Sequence, residues 1–224
     1  RKLAHEIKNP LTPIQLTIDR LKSKYSSQLN KNDNENFKEN LKIINNQIKQ
    51  IEKLVNEFSD FARMPRPIFK KIFIDDVINR VISFYNMSEK NLDLILKNNL
   101  KTNHSINGDS EQLYRAFLNL IKNSLEAIEE KKQKMSNLQG KITLEINRNN
   151  EYIVIKMLDN GIGFNDIKNI TKPYFTTKKK GTGLGLPIVS KIINEHNGDI
   201  NFIKKSEGAE ILISLPIISW NQKY

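Results

Sequence analysis

From Phe37 to Ala62 the apolar residues fall at alternating steps of four and three: Phe37, Leu41, Ile44, Ile48, Ile51, Val55, Phe58 and Ala62. That is the seven-residue repeat of a helix whose apolar side is a narrow seam, and such a seam must be covered by another helix. The preceding segment offers one, with Leu3, Ile7, Pro10 and Leu11, Ile14, Ile18 and Leu21 at similar steps. Two such helices, joined by a polar stretch over residues 23–35, predict an antiparallel αα-hairpin. One hairpin cannot bury both seams well. Pairing with a second copy into a dimeric four-helix bundle is therefore expected.

The seam stops at Met64-Pro65-Arg66-Pro67, where two prolines enforce extended backbone. The expected organisation is a helical domain over residues 1–64, a linker at 65–67 and a second domain over 68–224. The second domain reads as mixed α/β, so the fold class is α+β. Strands are expected at 71–74 and 92–96, with a helix over 75–85 between them. A further helix, capped by Asp109 or Ser110, carries Leu113, Phe117, Leu120, Ile121, Leu125 and Ile128. Strands at 141–146 and 152–158 flank an expected turn at Asn147-Arg148-Asn149-Asn150. A helix opens at Leu186-Pro187, and a closing hairpin pairs 199–203 with 210–215 across Ser206-Glu207-Gly208.

Composition removes several classes of chemistry. There is no Cys, which excludes disulfides, thiolate zinc sites, iron–sulfur clusters and a cysteine nucleophile. With only His5, His104 and His196, a His-rich metal site is not expected. The net charge of +11 comes from scattered lysines, not a basic stripe with aromatics, so no nucleic-acid partner is expected. No apolar run approaches the ~20 residues that span a bilayer. The chain starts at Arg1 without an initiator Met or a signal-peptide pattern, and the expectation is a piece of a longer protein.

Three segments carry candidate chemistry. In Asp159-Asn160-Gly161-Ile162-Gly163, a carboxylate ends a strand with Val154, Ile155 and Met157 on it, and two glycines allow backbone to approach a flat ligand. A carboxylate there needs a strong donor, although a tight turn capped by Asp accounts for the same residues. Gly181-Thr182-Gly183-Leu184-Gly185-Leu186 opens a helix, and closely spaced glycine N–H groups at a helix N-terminus form an anion cradle. It lacks the ending of a Walker loop. Asn119 and Asn123 are four apart, hence on one helix face, and their amide oxygens suit a hard ion such as Mg²⁺. Solvated asparagines in an Asn-rich chain are the alternative.

Taken together and in order, the motifs resemble the catalytic core of a two-component sensor histidine kinase. His5-Glu6-Ile7-Lys8-Asn9-Pro10-Leu11 resembles the phosphoacceptor box, residues 119–123 the asparagine box and residues 159–163 the first glycine box. Lys172-Pro173-Tyr174-Phe175-Thr176-Thr177-Lys178 resembles the phenylalanine box, and residues 181–186 the second glycine box. The stretches at 8–14 and 58–67 look most like the nitrogen-regulation branch, of NtrB/NtrY type.

The resemblance implies a gyrase/Hsp90/histidine-kinase/MutL-type α/β sandwich after the hairpin, with ATP and Mg²⁺ as cofactors. It makes His5 the phosphoacceptor, with Glu6 holding the proton of the other ring nitrogen and Asn9 positioning water in a phosphatase reaction. Leu3 and Ile7 on the seam side turn the His5 ring outward, and Pro10 and Pro13 should bend the helix beyond it. Asn123 is the implied Mg²⁺ ligand and Asn119 lies near the phosphates, with a phosphate contact possible for Lys122. Asp159 would accept from the adenine amino group beside Gly161 and Gly163. Residues 165–180 would form an ATP lid packed down by Phe175, with Thr176, Thr177 and Lys178 near the phosphates. Gly181, Thr182, Gly183, Leu184 and Gly185 would line the triphosphate. His104 reads as a loop residue, and His196 as a cation at a helix C-terminus before Asn197 in left-handed conformation.

The implied partners are a second copy and a response-regulator receiver domain. The implied location is cytoplasmic, with anchorage in the bacterial inner membrane through a missing N-terminal region. An ATPase of the same nucleotide fold and a non-catalytic ATP-binding dimeric scaffold are the alternatives.

Overall fold

A computed structural model describes residues 2–62, 64–88, 92–102, 104–135, 137–178 and 181–218, with side chains at all of these except 2–5, 60, 87 and 88. The chain divides into two compact units: Arg1–Pro65 with Thr176–Leu184, and Arg66–Phe175 with Gly185–Tyr224.

In the first unit α1 (Lys2–Tyr25) and α2 (Lys31–Ala62) form the hairpin. The polar stretch expected to join them is mostly helix, because Asn30 starts α2 so early. Its side-chain oxygen accepts from Asp33 N–H at 2.9 Å while its amide donates to the Asp33 carboxylate at 2.6 Å, a reciprocal cap. Leu11 and Ile18 of α1 pack against Leu41 and Ile48 of α2, with Phe37 alongside. The other half of the repeat, Ile7, Ile14, Leu21, Ile44 and Ile51, stays 37–45% exposed. Helix α1 continues through Pro10 and Pro13. Each proline lacks an N–H, so the carbonyls of Glu6 and Asn9 lose their donors four residues on.

The second unit holds a five-stranded sheet in the order β2 (Leu92–Asn98), β4 (Gly140–Asn149), β5 (Tyr152–Asp159), β7 (Ala209–Pro216), β6 (Asp199–Lys204). Only β2 and β4 run parallel. Their connection carries β3 (Ser105–Gly108) and α4 (Ser110–Lys132), as a parallel pair requires. Strand β1 (Lys70–Phe73) pairs antiparallel with β3 as a separate ribbon. Helices α3 (Ile74–Ser88), α4 and α5 (Gly185–Glu195) supply the second layer. Leu113, Phe117, Leu120, Ile121 and Ile128 of α4 are at most 1% exposed. Ile142, Leu144, Ile146, Ile153, Ile155, Ile213 and Leu215 of the sheet are completely buried.

Several boundaries differ from the sequence reading. Strand β3 was not expected. Strand β4 runs through the predicted turn to Asn149, since Asn147 pairs with Val154 and Arg148 with Ile153, which leaves only Asn150 and Glu151 as the turn. Val154 lies half-buried on the face opposite Ile153, Ile155 and Met157, because side chains alternate along a strand.

Phe117, 1% exposed, is among the largest fully buried side chains. Phe117→Ala should cost about 3–5 kcal/mol of stability. Urea unfolding monitored by circular dichroism checks this.

Candidate active site

Helix α4 is the platform of the site. Asn119 and Asn123 stand on the side facing the start of α5: a Cβ at Gly185 would lie 3.7 Å from Asn123 Nδ2 and 3.9 Å from Asn119 Oδ1. Two side-chain amides and a helix N-terminus thus converge at one point, where an added methyl group would touch both amides at ordinary contact distance. One turn further along α4, the Asp159–Gly163 turn presses on the helix. A Cβ at Gly161 would meet the Ala127 carbonyl carbon and Cβ at 2.8 Å, and Ile162 N–H donates to Ala127 O at 3.3 Å. Any side chain at position 161 would push the turn away.

The Asp159 carboxylate is fixed on both oxygens. Oδ2 accepts from Ser124 Oγ at 2.7 Å, and Oδ1 accepts from Gly161 N–H at 2.9 Å. Ser124 is 3% exposed, so its hydroxyl has little access to water and the charged acceptor satisfies it. Asn160 clips the turn to β4 by accepting from Lys141 N–H and donating to Gln139 O, both at 2.8 Å. Lys131 of α4 donates to Asn160 O at 3.0 Å. From the far side the β6–β7 turn closes in. Gly163 has φ +74°, and a Cβ there would lie 2.6 Å from Gly208 O.

Asn119, Asn123, Asp159, Gly161, Gly163 and Gly185 therefore fall in one compact unit. Ser124, Ala127 and Gly208 complete their framework, and no local signal in the sequence ties these three to the site. Lys122 is exposed on α4. Phe175 is half-buried behind a turn in which its N–H donates to Lys172 O at 3.2 Å and Tyr174 takes φ +66°, the pattern of a type II turn with Pro173 at its second position. Residues 176–184 group with the hairpin. There Thr176 Oγ1 accepts from Lys178 N–H at 3.1 Å, Thr177 is exposed, Leu184 is buried, and Thr182 donates its hydroxyl to Glu57. Gly181 packs on Thr176 and Gly183 takes φ +69°. His5 lies in α1, but the orientation of its ring falls outside the described side chains. Glu6 and Asn9 are exposed on the same helix.

Residues 1–67 match the family described as "His Kinase A (phospho-acceptor) domain". Residues 108–218 match "Histidine kinase-, DNA gyrase B-, and HSP90-like ATPase". Nitrogen regulation protein NtrY of Azorhizobium caulinodans is 37% identical over 219 residues, covering 97% of this chain and 28% of that protein. A putative NtrY-like sensor histidine kinase of Rickettsia bellii is 34% identical over 214 residues, covering 95% of this chain and 34% of that protein.

The chain belongs to the sensor histidine kinases.

It spans about a third of the length of these curated relatives. In fold it is similar to histidine kinase ThkA, solved in complex with the response regulator protein TrrA, at 24% identity and a TM-score of 0.66, covering 97% of this chain and 60% of that one. The α/β unit is the ATP-binding part of a histidine kinase core. Its donor set fits that ligand: a carboxylate held at the Gly161 turn for a base, and amides with helix N–H groups at Gly185 for phosphates.

The two remaining histidines differ from each other. His104 Nε2 lies 3.0 Å from Thr102 Oγ1 and 3.2 Å from Arg148 Nη1, as an ordinary loop residue. His196 is not the helix-end cation expected. It is 2% exposed, its Nδ1–H donates to Ile192 O at 2.8 Å, and its Nε2 accepts from Asp109 N–H at 2.9 Å. Accepting at Nε2 requires the neutral ring. Burial pushes its pKa below the ordinary histidine value, against the pull of the Ile192 carbonyl and of Asp109 and Glu195. Asn197 beside it does take the left-handed conformation, at φ 54°.

Two outcomes follow for this unit. Gly161→Ala should weaken binding of a non-hydrolysable ATP analogue by about tenfold or more in calorimetric titration, because the added methyl meets backbone. A lowered histidine pKa gives stability that is full above the unfolded value of about 6.5 and is lost as pH falls below it. Melting temperature should therefore drop between pH 7 and 5.5, and His196→Gln should flatten that drop.

Proposed function

We propose that this chain autophosphorylates His5 from Mg-ATP and passes the phosphoryl group to an aspartate of a response-regulator receiver domain. The observation that carries the reading is the Asn119–Asn123–Gly185 cluster beside a fixed Asp159, in a chain whose first helix matches a phospho-acceptor family. Asp159 serves as acceptor for the adenine amino group. Asn119 and the N–H groups at the start of α5 face the phosphates, and the family resemblance adds Thr176, Thr177, Lys178 and residues 181–184 as further phosphate contacts. Asn123 would hold Mg²⁺, which would supply charge neutralisation in a reaction that depends chiefly on positioning.

In the transfer, one imidazole nitrogen of His5 forms a bond to the γ-phosphorus and the bond to the β–γ bridging oxygen breaks, releasing ADP. Glu6 accepts a hydrogen bond from the other ring nitrogen and so keeps the attacking lone pair available. Asn9, one turn on, orients water for hydrolysis of the phosphorylated regulator.

The exposed stripe of Ile7, Ile14, Leu21, Ile44 and Ile51 supports a homodimer through the hairpin, since two such stripes bury each other in a four-helix bundle. ThkA, solved with a response regulator, supports a receiver-domain partner. No helix among the described residues is long and apolar enough to cross a membrane. The reading includes a full-length protein anchored in the inner membrane, with this segment on the cytoplasmic side.

Incubation with γ-labelled ATP and Mg²⁺ tests the reading. Wild type should take up alkali-stable, acid-labile label, and both His5→Gln and Asn123→Ala should lose it. ATP turnover without labelled protein would indicate an ATPase, and neither would indicate a scaffold.

A further inference from the structure

We propose that Asp109 is a positioning residue for phosphoryl transfer, tying the chain that enters the α/β unit to the helix that carries Asn119 and Asn123. The proposal rests on the reading of His5 as phosphoacceptor.

The two oxygens of Asp109 have different tasks. Oδ1 caps α4 by accepting from Glu111 N–H at 3.0 Å and Gln112 N–H at 3.1 Å. Oδ2 reaches back 41 residues to accept from Ile68 N–H at 2.8 Å. Ile68 is the residue after Pro67, and its side chain is 69% exposed, so burial does not anchor it. The entering chain then pairs with β3 from Lys70 opposite Gly108, directly before Asp109. Burial works against the Asp109 charge, but the Ile68, Gln112 and Glu111 N–H groups outweigh it and hold the carboxyl below the usual range.

The backbone of Asp109 completes the node by donating to His196 at the end of α5, with the Phe69 ring set edge-on against the His196 ring at 5.2 Å between centroids. The start of α4 and the end of α5 are thus joined by the Asp109–His196 bond, and Phe69 of the entering chain rests against the same ring. From Asp109 to Asn119 is about 15 Å along α4, and from His196 back to Gly185 about 16 Å along α5, at ~1.5 Å per residue. The matching lengths place the node at one end of the pair and the Asn119–Asn123–Gly185 cluster at the other. Whatever fixes Ile68 to this node fixes the direction of the linker relative to the phosphate-facing groups. Loosening that tie relaxes the positioning on which phosphoryl transfer depends without altering the nucleotide site itself.

The test separates the two oxygens. Asp109→Asn is isosteric and keeps one acceptor, and Asp109→Ser keeps only a cap. Both should speed hydrogen exchange at Ile68 roughly tenfold while Glu111 and Gln112 stay protected. The rate constant for autophosphorylation should fall ~10- to 100-fold, with ATP affinity and KM for ATP within twofold of wild type. Faster exchange at Ile68 with unchanged labelling would overturn the positioning role. So would ATP affinity falling in step with labelling, the mark of a merely structural residue. A wild type that takes up no label would instead fail the His5 reading and remove the positioning role with it.

Discussion

The close approach of one turn to one helix sets the geometry of the nucleotide-binding unit. The Asp159–Gly163 turn lies so near Ala127 that a single methyl group at position 161 has no room. Backbone at that distance cannot be held off by side chains, so the turn takes its height and orientation from α4. The carboxylate of Asp159 then falls within reach of Ser124, three residues before the contact. Asn119, Asn123 and Ala127 recur at steps of four and lie along one side of the helix. A contact at Ala127 therefore places the acidic group and the amide pair on the same rail, a turn or two apart.

The rail is rigid because α4 is buried along its length. Residues from Leu113 to Ile128 that face the sheet have at most 1% exposure, and an interior packed to crystalline density does not slide. Polar groups survive at this depth only where they are paired. Ser124 with Asp159 and His196 with Asp109 are such pairs, one beside the amide cluster and one at the start of the helix. Both fix orientation by leaving a buried donor or acceptor no alternative.

Much of this was legible in the sequence where a signal is local. The repeat from Phe37 to Ala62 depends only on helix period, and α2 spans it. Asp109 as a cap and Asn197 in left-handed conformation follow from the chemistry of helix ends. Long-range partners were hidden. Strand β3 is four residues with Ser and Asn in it, and it exists because β1 pairs with it. The Asn-rich run at 147–150 carries strong turn propensity, yet the ladder to Ile153 and Val154 overrides it. Ser124 resembles any helical serine until a carboxylate 35 residues away is brought beside it. His196 differs for the same reason: its neighbours in sequence suggest a helix-end cation, while its acceptor role is set by a backbone N–H 87 residues earlier.

The hairpin shows the same division of labour between local pattern and partner. A seven-residue repeat offers two apolar positions per heptad, and within one chain they separate. Leu11 and Ile18 meet Leu41 and Ile48, while Ile7, Ile14, Leu21, Ile44 and Ile51 stand in water. Exposed aliphatic residues at a strict spacing of seven form a continuous stripe, unlike the scattered ones that any soluble surface carries. Covering that stripe with its own copy makes each helix a member of a bundle with both seam positions filled. The helix bearing His5 would then be held on two sides, against α2 and against the second chain, leaving its third side to the reactants. Prolines at 10 and 13 fall one and two turns beyond that histidine, where the missing N–H groups free the carbonyls of Glu6 and Asn9. A helix braced by a bundle tolerates such gaps in its hydrogen-bond ladder, so the exposed Glu6 and Asn9 can stand beside prolines that an isolated helix would not support.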